Sequence, residues 1–483
     1  HTRFRNVTGV QTCALPISLA GFCAVRFGLS RILVSAVIGF TIVSMLCGAA
    51  QTLEQLVLFR ALQGAFGASL VPLSQALMME TYPREEQGKA MAMWGVGTMV
   101  GPITGPTLGG WLTDEFTWRW VFYVNLPVGI LCATGILLLV RDGQRSPRPF
   151  DLLGFSFLAI AIGSFQLMLD RGQQLDWFDS IEIIGEAVVA GIAAVMFVIH
   201  MLTDRQPFLS RDLFKDRNLT VGLVFTALAG LVLIVTATLM PPFLQHLKGY
   251  PVLTAGLVLA PRGAGMMLSM MIVSRLIGRF DARWIISIGL VLCAFSLWEM
   301  SLFNLDVSEA RIVWNGVYLG LGLGLVFPPL TTLSFATVPG RLRTEGAAIN
   351  ALLRNLGASV GIALLVSQLD RSTQTNRAAI AEFMTPFNPL WRFGTTPMEH
   401  GIPVDRSRVM SHMMPFGGSF PYGAVPVDDP AKMVAMWAEE MVRQASMMAY
   451  MTDFHIMTVI TVAIIPLLFF MRRQATFARP SRR

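Results

Sequence analysis

Charge is scarce in this sequence. Only 14% of its 483 residues are Asp, Glu, Lys or Arg, against 54% hydrophobic ones. So little charge cannot cover the surface of a water-soluble protein of this length. Acid is scarcer than base, with 30 Asp and Glu against 37 Lys and Arg. The basic residues are scattered between apolar runs rather than gathered in a patch, which argues against nucleic acid as a partner. The five cysteines, Cys13, Cys23, Cys47, Cys132 and Cys293, stand at no disulfide or metal spacing. The last four lie in or beside apolar segments, as small packing residues do. No catalytic Ser-His-Asp set, metal-ligand pattern or phosphate-cradling glycine loop is present, so neither an enzyme nor a cofactor is expected. A separate soluble domain is also lacking, which counts against a scaffold or sensor.

Apolar runs are what the sequence has in abundance. Residues 1–18 are set aside first, because VTGVQTCALPI resembles a translated sequencing-adapter oligonucleotide and fits no signal-peptide pattern. Beyond them, twelve stretches reach the roughly 20 residues a membrane helix needs. Their cores are 32–50, 55–79, 90–112, 119–140, 152–169, 181–202, 219–244, 253–274, 284–303, 311–336, 346–367 and 450–471. Alternate short loops and ends carry Arg26, Arg31, Arg84, Lys89, Arg141, Arg145, Arg148, Arg205, Arg211, Lys215, Arg217, Arg275, Arg279, Arg283, Arg341 and Arg343, joined by Arg472, Arg473, Arg479, Arg482 and Arg483 of the tail, whereas short loops of the opposite set carry only Arg119, Arg171, Lys248 and Arg311. The positive-inside rule makes the first set, and both chain ends, cytoplasmic. An all-α polytopic membrane protein follows.

The chain also repeats itself. VRFGLSRILVSAVIG near residue 25 parallels GRFDARWIISIGLVL near 278, LVPLSQA with Pro72 parallels VFPPLTT with Pro328, and PREEQGK with Gly88 parallels PGRLRTEG with Gly346. Two related helical halves are the usual build of a secondary transporter. Gly97, Gly101, Gly105 and Gly109 form one row of a helix face, with Pro102 and Pro106 on the row beside it and Gly110 following. Such a row lets membrane helices approach backbone to backbone and bend, so this span is expected to pack closely and to flex.

These residues support a resemblance. Leu56, Arg60, Gln63, Gly64 and Gly67 in LVLFRALQGAFG match the second signature motif of the major facilitator superfamily, and the glycine row matches the motif that marks its exporters. WRWVFYVNLPVG (118–129) and LDRGQQLDWF (169–178) resemble the fourteen-span drug:proton antiporter branch, the EmrB-like transporters in particular. The resemblance implies a major facilitator fold with two pseudo-symmetric halves: 19–150 as an incomplete N-terminal half, 151–205 as two inserted spans and 206–483 as the C-terminal half. It implies that two spans precede those seen here. Gly21, Arg26, Gly28 and Arg31 match the cytoplasmic loop motif, but Val25 stands where an aspartate is usual, which puts the charge clasp of that loop in doubt.

The implied function is proton-coupled export of lipophilic or cationic drugs and toxic compounds across the bacterial cytoplasmic membrane. The partners implied are small lipophilic substrates, protons, the bilayer, and a periplasmic adaptor with an outer-membrane channel. Arg60 is the residue the motif associates with proton transfer, with neutralisation by carbonyls as the alternative. Arg354 reads equally as cavity-lining or structural, and Arg262 as structural. Gln63, Gln75, Asn125, Asn350 and Arg354 are expected nearest a central cavity. Glu186 is the one carboxylate well inside a span, and Glu299 and Asp453 lie near the outer boundary. The usual proton acceptor sits on the first span of related exporters, so residues 1–483 alone are expected not to couple to protons.

Segment 368–449 is expected outside the cell, irregular from Pro386 to Pro430 and helical after Asp429. It reads as an adaptor contact or a plain cap. Met398, His400, Met410, His412, Met413 and Met414 leave a soft-metal exporter as an alternative. No resident metal site is expected.

Overall fold

The computed structural model describes residues 23–471 except 25, 84–85, 141–150, 205–206, 278–279 and 384–429. Apart from a single bridge between Ile277 and Phe280, regular structure among the described residues is helical. Gly28 opens α1 (Leu29–Ala49) with φ 108°, a left-handed value that a side chain would resist. Thr52 caps α2 (Leu53–Gly67) by accepting the Gln55 N–H at 3.3 Å. Then come α3 (Leu70–Thr81), α4 (Gln87–Glu115) and, after a one-turn helix Trp120–Tyr123, α5 (Asn125–Leu139). The inserted pair is α6 (Leu152–Gly172) and α7 (Ile181–Thr203). The C-terminal half holds α8 (Arg217–Pro242), α9 (Val252–Leu276), α10 (Ala282–Met300), α11 (Glu309–Phe335), α12 (Arg343–Phe383) and α13 (Pro430–Ile464).

Eleven helical stretches among the described residues are long and apolar enough to cross a bilayer. Helix α4 supplies the twelfth long helix at the expected place, made less apolar by its glycines and prolines. The span expected at 55–79 is broken at Ala68–Ser69, where Ala68 packs on Ala348 and Ala351 of α12. Both arms of segment 368–449 are helical: α12 continues to Phe383, and α13 starts at Pro430 as anticipated. The Pro386–Asp429 stretch, with its methionines and histidines, lies outside the described residues.

The sequence repeat maps helix onto helix. It places α1 with α10, α3 with α11 and α4 with α12. The largest buried cluster fills the C-terminal half, with Phe243, Leu297, Phe303, Leu319, Phe454 and Met457 wholly covered. The halves meet through α4 and α9, where Gly95 faces Met270 and Gly110 faces Leu253.

The glycine row departs from expectation. A Cβ built on Gly97, Gly101, Gly105 or Gly109 would meet nothing within 4 Å. Helix α9 takes the face bearing Gly95 and Gly110, and the row is turned away from it. The close approach of this row is therefore not made within the described residues. The counterpart row in the other half is filled. On the paired helix α12, Gly357 and Gly361 also stand four apart, and these lie against Ala227, Leu231 and Val235 of α8.

Candidate functional site

Three arginines lie inside the bundle, and among the described residues none has a carboxylate partner. On α2, Arg60 Nη1 donates to Gln63 Oε1 at 2.9 Å, and the guanidinium lies 5.5 Å from the Phe122 ring centre. Gln63 is 4% exposed and also accepts from Cys47 Sγ at 3.8 Å. The motif thus assembles a cation held by an amide and an aromatic face, which is a modest stabilisation compared with an ion pair. Phe40 packs over Gly67, where a side chain would crowd it.

On α9, Arg262 Nη2 donates to Leu233 O at 3.1 Å and Thr236 Oγ1 at 2.7 Å on α8. Its own backbone is pressed against Gly320 of α11, where a methyl group would overlap the Arg262 carbonyl. Those contacts fit the structural role expected of it. On α12, Arg354 lays its stem over Gly230 of α8 and makes no hydrogen bond or ion pair among the described residues. One turn before it on the same face, Asn350 is 4% exposed, with Oδ1 buried and unpartnered.

The other sequence-selected polar residues stand on α3 and α5. Gln75 is buried on α3, and its neighbour Ser74 accepts from Trp94 Nε1 of α4 at 3.0 Å. Asn125 donates to Ser44 Oγ at 3.0 Å, and Ser44 to Phe122 O, so Asn125 ties α5 to α1. Arg26 lies 5.5 Å from the ring centre of Phe27, and Arg31 is exposed and partnered. Gly21 and Val25 lie outside the described residues, as do the side chains of Pro102 and Pro106.

Two features were not legible as sites in the sequence. The first anchors the inserted pair at the start of α6 and the end of α7. Asp151 caps α6 by accepting the Gly154 N–H at 2.8 Å, and it also accepts from the Phe208 N–H and meets His200 Nε2, both at 2.9 Å. Burial alone would raise the Asp151 carboxyl, yet the hydrogen bonds from Gly154, His200 and Phe208 hold it below the ordinary aspartate value. Asp204 stands 3.6 Å from the same His200 nitrogen. Each of these groups already serves the helix ends, so the trio works as a clamp.

The second lies at the opposite end of the pair, where the LDRGQQLDWF motif forms the turn between α6 and α7. Asp176 and Trp177 take left-handed φ values of 54° and 55°, which cost roughly 1–2 kcal/mol each for residues bearing a Cβ. Contacts to the C-terminal half hold that turn. Trp177 Nε1 donates to Ser367 Oγ at 3.0 Å, and Gln173 Nε2 donates to Asp370 Oδ2 at 3.2 Å, both on α12. Nearby on α13, Asp453 is 0% exposed, and neither carboxyl oxygen has a hydrogen-bond partner.

Comparison with known proteins agrees with this architecture. The Major Facilitator Superfamily model matches residues 12–362. The chain is 35% identical over 381 residues to the fatty acid resistance protein FarB of Neisseria gonorrhoeae, covering 78% of this chain and 74% of that protein. It is 33% identical over 379 residues to the multidrug export protein EmrB of Escherichia coli K12, with the same coverage of each. Among solved structures, the human organic anion transporter MFSD10 (TETRAN) superposes with a TM-score of 0.53 at 13% identity, covering 75% of this chain and 76% of that one. The proton:xylose symporter XylE gives 0.53 at 15% identity, over 80% and 86%. At such identities the structures speak for the fold alone.

Proposed function

The chain belongs to the major facilitator superfamily, and from that membership we propose that it exports lipophilic compounds, drugs among them, from the cytoplasm by alternating access driven by protons. The observation that carries this reading is identity of 33–35%, across about three quarters of each relative, to proteins named for multidrug export and fatty acid resistance. The reading places it in a bacterial cytoplasmic membrane with both ends inside, as a transporter and not an enzyme. The external segment 368–449 is then a surface for a periplasmic adaptor that leads to an outer-membrane channel. Adaptor pull-down unchanged by deletion of 390–425 removes that part.

A narrower reading favours lipophilic acids over cations. It rests on Arg60, Arg262 and Arg354 standing inside the bundle without a carboxylate partner, since a buried cation gains from a ligand that brings the missing charge. Purified protein titrated with a medium-chain fatty acid and with ethidium separates the two. Saturable binding of either supports the export reading, tighter binding of the acid supports the narrower one, and binding of neither overturns both. Coupling is read separately in energised everted vesicles containing residues 1–483. Ethidium accumulation that a protonophore abolishes would overturn the expectation that this stretch alone does not couple.

A further inference from the structure

We propose that Asp453 of α13, buried without a hydrogen-bond donor and set beside Asp370 of α12, is a proton-carrying carboxyl site of this transporter. Its use in transport rests on the proton-driven reading above; its existence does not.

The argument starts from what surrounds the carboxyl. One turn away on the same face of α13 stand Ala449, Tyr450 and Met457, all buried, and Phe454 beside it belongs to the main apolar cluster with Tyr450 and Met457. Both Asp453 oxygens are covered and receive no hydrogen bond. A carboxylate ion in such a place has neither water nor donors to replace its hydration, which is far more costly than burying the neutral acid. A metal cation would need several further oxygen ligands, and these walls are methionine, alanine and aromatic rings.

The charged groups on the helices packed around α13 do not relieve it. Asp370 on α12 is the group that acts on it electrostatically, and that group is itself an acid. Glu299 on α10 is taken up by Arg311 and Asn315. On α13 itself Glu440 and Arg443 pair with each other, and His455 is exposed. His246, beyond the end of α8, is exposed as well.

The inserted pair meets α12 on the stretch that carries Asp370, through Trp177 to Ser367 and Gln173 to Asp370 itself. Loading adds one proton to the Asp453 carboxylate and cancels its charge. Release restores a charge that the packed state cannot solvate, so release requires the helices packed on α13 to part. Proton loss is thereby tied to a change in helix packing, which is what coupling needs.

The test uses the full chain, purified in lipid nanodiscs, and dicyclohexylcarbodiimide, which adds whole across a protonated carboxyl in apolar surroundings and rearranges to a stable N-acylurea. Peptide mass spectrometry should find the adduct on Asp453 at about pH 6 and about tenfold less at about pH 9. Asp453→Asn should remove that adduct while keeping the folded elution profile. No adduct on Asp453 at either pH, or equal labelling at both, overturns the proposal. Labelling as described in a protein that binds no lipophilic ligand leaves the site standing and sinks the export reading instead.

Discussion

The two halves carry the same small-residue row on equivalent helices, and only one row is filled. On α12, Gly357 and Gly361 lie against the backbone of Ala227 and the side chains of Leu231 and Val235 on α8. On α4, the helix the repeat pairs with α12, Gly101 and Gly105 face open space. A glycine row is thus a capacity for close packing, and the sequence alone does not say whether a partner uses it. The inserted pair sides with the filled half: Met168, Leu169 and Ile183 pack with Val360 and Ala363, and Trp177 reaches Ser367.

The sharpest way to break this comparison is to add one methyl group to each row. Gly357→Ala would drive a Cβ into the Ala227 carbonyl, so about 3 kcal/mol of stability should be lost, read as a fall in the detergent melting temperature. An unchanged melting temperature would mean that α8 and α12 are not in contact there. The attachment of the inserted pair comes next. Asp151→Ala removes three contacts at the start of α6 and should cost about 2 kcal/mol at neutral pH. Because the Asp151 carboxyl is held below its ordinary value by its partners, its contribution is fully present above about pH 4 and fades as pH falls through the lower folded value. The gap between wild type and variant should therefore close in acid; a constant gap would assign the effect to packing.

Smaller effects carry the opposite sign. Gly105→Ala, on the open row of α4, should be neutral or stabilise by up to about 1 kcal/mol, since alanine is the better helix former where nothing crowds it. A loss as large as that of Gly357→Ala would show that the α4 row is occupied after all. Last, Asp176→Gly relieves a left-handed φ and should raise stability by roughly 0.5–1 kcal/mol without altering carbodiimide labelling of Asp453.

Much of the fold was legible because membrane helices announce themselves locally. Length, apolarity and basic flanks placed α1, α6, α7, α8 and α10 within a few residues, and Asp429–Pro430 marked the start of α13. The break at Ala68–Ser69 was not legible, because the residues there are ordinary helix formers and only the contact with Ala348 and Ala351 of α12 accompanies it. The candidate site was legible in part. Arg60 with Gln63 assembled as the motif suggested, whereas Asn125 turned out to tie α5 to α1, since hydrogen-bond partners 81 positions apart leave no local trace.

By itself, then, the sequence determined that this is a two-half helical membrane protein of the major facilitator superfamily, because hydropathy, basic asymmetry and signature residues are properties of short stretches. Only the tertiary structure decided which glycines are packed, which arginines lack a counter-charge, and that Asp453 is sealed without a donor. Those are properties of helices meeting across hundreds of residues, where burial and partner are set by packing rather than by the neighbours in the chain.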